Sequence, residues 1–288
     1  MEQFTNMIVN MPRLKIGLWA EHAGLIDVLR TLWEEHDVRL APRWDGFHGQ
    51  TWQGDEDIII STLPYKPESL LTGKPTIVYF TDPIQKNVQK QIQELFDDNK
   101  ITVIGAEDCY PDDLYIEGIK QCIPFALKRN NYPPFIGYKP SIAVVNQKPV
   151  ERWHDVVTGA LKKFMSLEEL FGDIPYEIIR EDSTSRFRLR YAEHRGLFYF
   201  SNSPYTIVMF EAMLVGMPIV AWDHHHRWAN YKPIHKYLTS YSTDVEEIRT
   251  MLRKIIASPP TKQTYQYTKF EEVQDLWNNL FERVLLEK

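Results

Sequence analysis

Residues 203–218 bring together a hydroxyl, a proline, a set of amides and a single carboxylate at helical spacing. Ser203 is a good helix N-cap, and Pro204 suits the first helical position, where its missing N–H would go unpaired anyway. Gly216 suits the left-handed residue just past a helix end, with Pro218 as the stop beyond it. Between them, Ile207, Val208, Met209, Phe210, Ala212, Met213, Leu214 and Val215 make a helix that is apolar all round and therefore buried on most sides. Glu211 is its only charge. An uncompensated buried carboxylate costs several kcal/mol, so Glu211 must be ion-paired, hydrogen-bonded or set in a cleft wall. Arg190 and Arg195 are the cations suited to an internal pair. The amides of Tyr205, Thr206 and Ile207, at the positive end of the helix dipole, form an anion site. With Glu211 further along, the same helix can hold a nucleotide's phosphates and its ribose hydroxyls together.

Other clusters carry weaker chemistry. The stretch Pro42–Trp52 is rich in glycine and aromatics, and Trp44, Phe47 and Trp52 could stack on a sugar ring or a nucleobase. Tryptophans packed beneath a long loop fit the same pattern. His224, His225 and His226 invite a metal reading, but no further ligand stands at helical spacing, so no metal is assigned. Arg186, Arg188 and Arg190 alternate with Phe187, Leu189 and Tyr191, as expected of a solvated face over an apolar one.

Short apolar runs alternating with longer amphipathic ones must position these groups, which is the signature of an α/β layered fold. Leu14–Trp19, Asp57–Ser61, Thr76–Thr81 and Ile101–Gly105 read as strands, with helices over Leu25–Glu35 and Ile84–Phe96. The proline-rich stretch Asn130–Pro134 reads as a linker. Beyond it, Ser141–Val145, Tyr176–Ile179, Leu197–Phe200 and Pro218–Trp222 read as strands. His154–Phe171 and Pro204–Val215 read as helices. Phe270, Val273, Leu276, Trp277, Leu280, Phe281 and Val284 mark a last helix with one buried stripe. The expected architecture is α/β, with two Rossmann-like domains facing across a cleft. Residues 1–137 form the N-terminal domain, residues 138–269 the C-terminal domain, and residues 270–288 a helix packing back toward the first. Ligands of open parallel sheets sit at the carboxyl ends of strands.

The composition is that of a folded globular chain: 288 residues, 43% hydrophobic and 25% charged. The 33 Lys and Arg against 39 Asp and Glu leave a net charge of −6, which argues against a protein clamped along a phosphate backbone. Cys109 and Cys122 make no disulfide framework. No run approaches the roughly 18–20 apolar residues that cross a bilayer. A reducing cytoplasm is the expected compartment, with no integral membrane segment.

The segment Phe198–Ala221, and above all Glu211-Ala212-Met213 through Pro218, resembles the donor-binding signature of family 4-like GT-B glycosyltransferases. Weaker similarity covers most of the chain. Cys122–Ala126 resembles the interdomain crossing, and Asp244–Leu252 the helix after the donor loop. The resemblance implies that Glu211 binds the donor's ribose hydroxyls. The family's first glutamate falls on Ser203 and its glycine on Thr206, both departures, while the amides of Thr206 and Ile207 can still meet the β-phosphate. It places the family's basic pair at Lys148 and Arg152, where cations would neutralise the diphosphate leaving group in place of a metal. The family's histidine is replaced by Thr81, next to Asp82. The catalytic base implied is Asp82, or else His22, at the place where inverting GT-B enzymes carry theirs.

The expected activity is a metal-independent transfer of a sugar, with retention, from a nucleoside-diphosphate sugar to a hydroxyl. Donor contacts fall to Lys148, Arg152, Ser203, Tyr205, Thr206, Ile207 and Glu211, and acceptor contacts to Trp44, Phe47 and Trp52. The donor expected is a UDP-sugar, with no prosthetic group. Two other readings stand beside it: a DNA glycosyltransferase acting on hydroxymethylated bases, and a sugar-nucleotide-binding protein without catalysis.

Overall fold

The computed structural model describes residues 12–20, 23–41, 53–62, 72–80, 86–105, 121–146, 166–180, 189–199, 207–222, 240–265 and 268–286. The chain divides into two compact units. One takes the described residues up to Gly105, the stretch ending at Pro124 and the helix from Lys269 onward; the other runs from Phe125 to Thr268.

In the first unit β1 (Lys15–Trp19), α1 (Ala23–Leu32), β2 (Asp37–Leu40), β3 (Ile58–Ser61), β4 (Thr76–Phe80), α2 (Lys86–Asp97) and β5 (Thr102–Gly105) follow one another. The strands form one parallel sheet in the order β2-β1-β3-β4-β5. β3 and β4 are buried at every position, which is why they read as continuous apolar runs rather than alternating ones.

The second unit contains β6 (Lys139–Asn146), α3 (Leu167–Phe171), β7 (Tyr176–Arg180), β8 (His194–Tyr199), α4 (Ile207–Val215), β9 (Ile219–Trp222), β10 (Ser240–Ser242) and α5 (Val245–Ala257). Its sheet is also parallel, in the order β10-β9-β8-β6-β7. The final helix, α6 (Phe270–Leu286), belongs to the first unit. Its apolar stripe behaves as the spacing predicts. Trp277 packs edge-on against Trp33 at 4.8 Å and Tyr79 at 5.1 Å, and Phe281 against Trp33 at 5.8 Å. Gln274 donates its amide to the Leu32 carbonyl at 3.0 Å, satisfying an end carbonyl of α1.

Three elements depart from the sequence reading, one helix and two strands. Of the helix expected over His154–Phe171, residues 154–165 lie outside the described residues, and the described part starts a helix of its own at Leu167. Ser166 is extended, its hydroxyl accepts the Glu169 N–H at 3.0 Å, and the Glu169 carboxylate accepts the Ser166 N–H at 2.7 Å. This reciprocal capping box, Ser-x-x-Glu, starts a helix rather than continuing one. Arg249 of α5 then donates to the Leu170 carbonyl at 2.9 Å and to the Glu169 carbonyl, closing the short helix at its other end. β2 and β10 are strands the periodicity did not announce. Both are short edge strands, too brief to show a period.

Candidate functional site

α4 is built as its composition demands. Met209 through Val215 are all buried, and Glu211, in the middle, is 1% exposed. Phe210 stands edge-on to Phe125 at 5.5 Å. The helix stops at Gly216, whose φ of +84° only glycine adopts without strain. The Gly216 N–H reaches the Ala212 and Met213 carbonyls at 3.1 and 3.0 Å, and the Met217 N–H reaches Ala212 at 2.9 Å, so the end carbonyls are satisfied. A β-carbon at Gly216 would lie 2.6 Å from Lys262 Cγ and 2.8 Å from the Gln263 carbonyl oxygen. The Gln263 N–H in turn donates to the Gly216 carbonyl at 2.8 Å, and the Tyr265 hydroxyl to the Met217 carbonyl at 2.7 Å. Helix, turn and the fully buried strand β9 therefore make one locked unit, with Glu211 held inside it.

Of the residues the sequence nominated, Glu211 and Ile207 lie on α4, Ile207 as its first described residue and half-buried. Asp82, His22, Lys148, Arg152, Ser203, Tyr205, Thr206, Trp44, Phe47 and Trp52 lie outside the described residues, as do Thr81 and the three histidines 224–226. The two arginines considered as internal partners for Glu211 are both among the described residues. Arg190 pairs with Glu177, and Arg195 donates Nη1 to the Ser258 carbonyl. Among the described residues no cluster of His, Cys, Asp and Glu could hold a metal ion. Cys122 is half-buried.

A polar cluster that sequence reading missed sits at the amino ends of β6, β7 and β8. Lys139 bridges Glu193 at 2.9 Å and Glu177 at 3.4 Å. His194, fully buried, shares a 2.8 Å hydrogen bond between Nδ1 and the Ser141 hydroxyl, and its Nε2 lies 3.5 Å from Glu177. Burial pushes the His194 pKa down to about 4, outweighing the pull of Glu177. The hydrogen bond from Lys139 holds Glu193 below the usual carboxylate range. Only strand register brings Ser141, Glu177 and His194 together, so no linear motif marks them. By position the cluster ties the sheet at the end away from the strands' carboxyl termini, where ligands of parallel sheets bind.

No family model matches the chain, and no curated protein matches it. Solved structures do. The chain is similar to the Anabaena protein Alr3699/HepE in complex with UDP and glucose: 14% identity, 94% of this chain and 100% of that one, TM-score 0.55. It is likewise similar to the same protein in complex with UDP-glucose: 13% identity, 96% and 99% coverage, TM-score 0.51. The chain spans about half the length of two other similar structures, covering 54% of TarM at TM-score 0.42 and 57% of the chain in the GtfA/B complex at TM-score 0.44. What the likeness to HepE establishes is the fold, a GT-B architecture of two parallel Rossmann-like α/β units.

Proposed function

We propose that this protein is a glycosyltransferase that moves a sugar from a UDP-sugar to a hydroxyl acceptor. The observation that carries the reading is Glu211: a carboxylate 1% exposed in an otherwise apolar helix, packed on a parallel sheet. It is supported by a protein of the same fold holding UDP and glucose, or UDP-glucose. In this reading Glu211 accepts hydrogen bonds from the ribose hydroxyls. The amides of Thr206 and Ile207, with Ser203 and Tyr205 beside them, face the diphosphate, and Lys148 and Arg152 neutralise it as it leaves.

The bond from the sugar's anomeric carbon to the β-phosphate oxygen breaks and one to the acceptor oxygen forms, on the same face of the ring. UDP departs, and the acceptor's proton passes to Asp82 or His22. Residues 1–137 carry the acceptor surface through Trp44, Phe47 and Trp52, and residues 138–269 carry the donor site. The protein's own cations serve the leaving group, without a metal.

Calorimetry with UDP-glucose tests the reading. Glu211→Gln keeps the shape and removes the charge. It should weaken UDP-glucose binding by roughly 10- to 100-fold, the worth of one or two hydrogen bonds to a charged group. Unchanged affinity in a folded variant overturns the assignment. Transfer of labelled glucose to saccharides, set beside transfer to hydroxymethylated DNA, identifies the acceptor.

A further inference from the structure

A pocket lies at the opposite end of the second unit's sheet from the strands' carboxyl termini. It has a volume of about 460 Å³ and is lined by the start of β8 (Arg195), the residue before β9 (Pro218), the last turns of α5 (Met251, Lys254, Ile255) and the segment that follows. That volume is within the roughly 300–1,000 Å³ of small-molecule sites. Its walls are fixed by covalent and hydrogen-bonded geometry. Gly196 has no side chain, and a β-carbon there would already be 3.1 Å from Ile255 Cγ2, so α5 packs close over β8. The Ser258 N–H closes α5 on the Lys254 carbonyl at 3.1 Å, and Gln263, also in the lining, is tied by its N–H to the Gly216 carbonyl at 2.8 Å.

The pocket's charge is one-sided. Arg195 donates Nη1 to the neutral carbonyl of Ser258, and its Nε is buried with no hydrogen-bond partner among the described residues. Lys254, exposed at the rim, makes no ion pair among the described residues. The described lining contains two cations and no acid, while Pro218, Met251, Ile255 and Pro259 supply an apolar wall. A carbonyl dipole does not cancel a full charge, so the interior is positive, and low-dielectric walls strengthen that field. The carbonyl end of α5 opens on the same space and carries partial negative charge. It disfavours a multiply charged anion such as a diphosphate and leaves a single carboxylate as the better match.

We propose that this pocket binds a small amphipathic carboxylate, of the medium-chain fatty-acid type, with its head on Arg195 and Lys254 and its chain against Pro218, Met251 and Ile255. The site is separate from the proposed donor site and does not depend on it. Octanoate is the probe, and octanol, with the same chain and no charge, is its control. In calorimetry on the full chain octanoate should bind saturably at one site, about tenfold or more tighter than octanol.

Lys254→Glu, at the exposed rim, should remove that preference while leaving the melting temperature unchanged. Met251→Trp, which fills the pocket, should abolish binding of both probes. The proposal is overturned if octanoate shows no saturation through the millimolar range, if octanol binds as well, or if Lys254→Glu binds octanoate like the wild type. Should Met251→Trp not fold, the Lys254→Glu comparison decides by itself. UDP-glucose affinity measured on the same samples reports the donor site alone, so failure of one assignment is not failure of the other.

Discussion

At the scale of single residues, Glu211 and His194 are both buried, and only one of them could be found along the chain. Glu211 was legible because a lone acid interrupts an apolar helix, and its 1% exposure agrees with that position. His194 was not legible, because its partners Ser141 and Glu177 stand 53 and 17 residues away along the chain, on the adjacent strand β6 and on β7 beyond it. It has a measurable consequence. With a native pKa of about 4 against 6.5 for an ordinary histidine, the unfolded chain binds the proton first as pH falls. Its contribution is fully present above pH 6.5 and is lost between pH 6.5 and 4, up to about 3 kcal/mol. Burial lowers the pKa of His36 too, so it adds a loss of the same sign. Urea midpoints across this range should drop with acidity in the wild type. His194→Gln should flatten much of the slope, and an unaltered slope would show that His194 is not its source. The carboxylates held down by cations, Glu193, Asp55 and Asp173, add their own loss at lower pH.

At the scale of elements, spacing decided the long pieces and local capping the short ones. The stripe of α6 was visible as i, i+3, i+4 repeats, and its centre is Trp277, wedged between Trp33 and Tyr79. Trp277→Ala removes a fully buried indole and should cost about 3–5 kcal/mol, read as a shift in the denaturant midpoint at constant slope. The helix start at Ser166 was missed because apolar period alone does not see a capping box. At Gly216 the sequence announced a left-handed turn, but the structure adds the neighbours, Lys262 and Gln263. Gly216→Ala meets both strain and a clash, so a loss of about 1–3 kcal/mol is expected by thermal melting. A neutral or stabilising effect would show that the turn is freer than its contacts imply.

At the scale of the molecule, the two parallel sheets give the chain its GT-B fold, and a ligand that binds only the folded form must stabilise it. UDP-glucose at 100 times its dissociation constant should add about 2.7 kcal/mol of stability, seen as a raised melting temperature. If the protein's own cations serve the leaving group, turnover should survive exhaustive EDTA treatment, and loss of activity restored by a divalent ion would contradict that part of the proposal. The sequence by itself determined the fold class, through alternating apolar runs, and it marked a lone acid in an apolar helix, both of which are local or periodic properties. Only the tertiary structure decided the strand orders β2-β1-β3-β4-β5 and β10-β9-β8-β6-β7, the polar knot around His194 and the cationic pocket at Arg195. Those depend on which strand lies beside which and in what register, and pairing between residues far apart in the chain is fixed by packing of the whole rather than by any segment's own pattern.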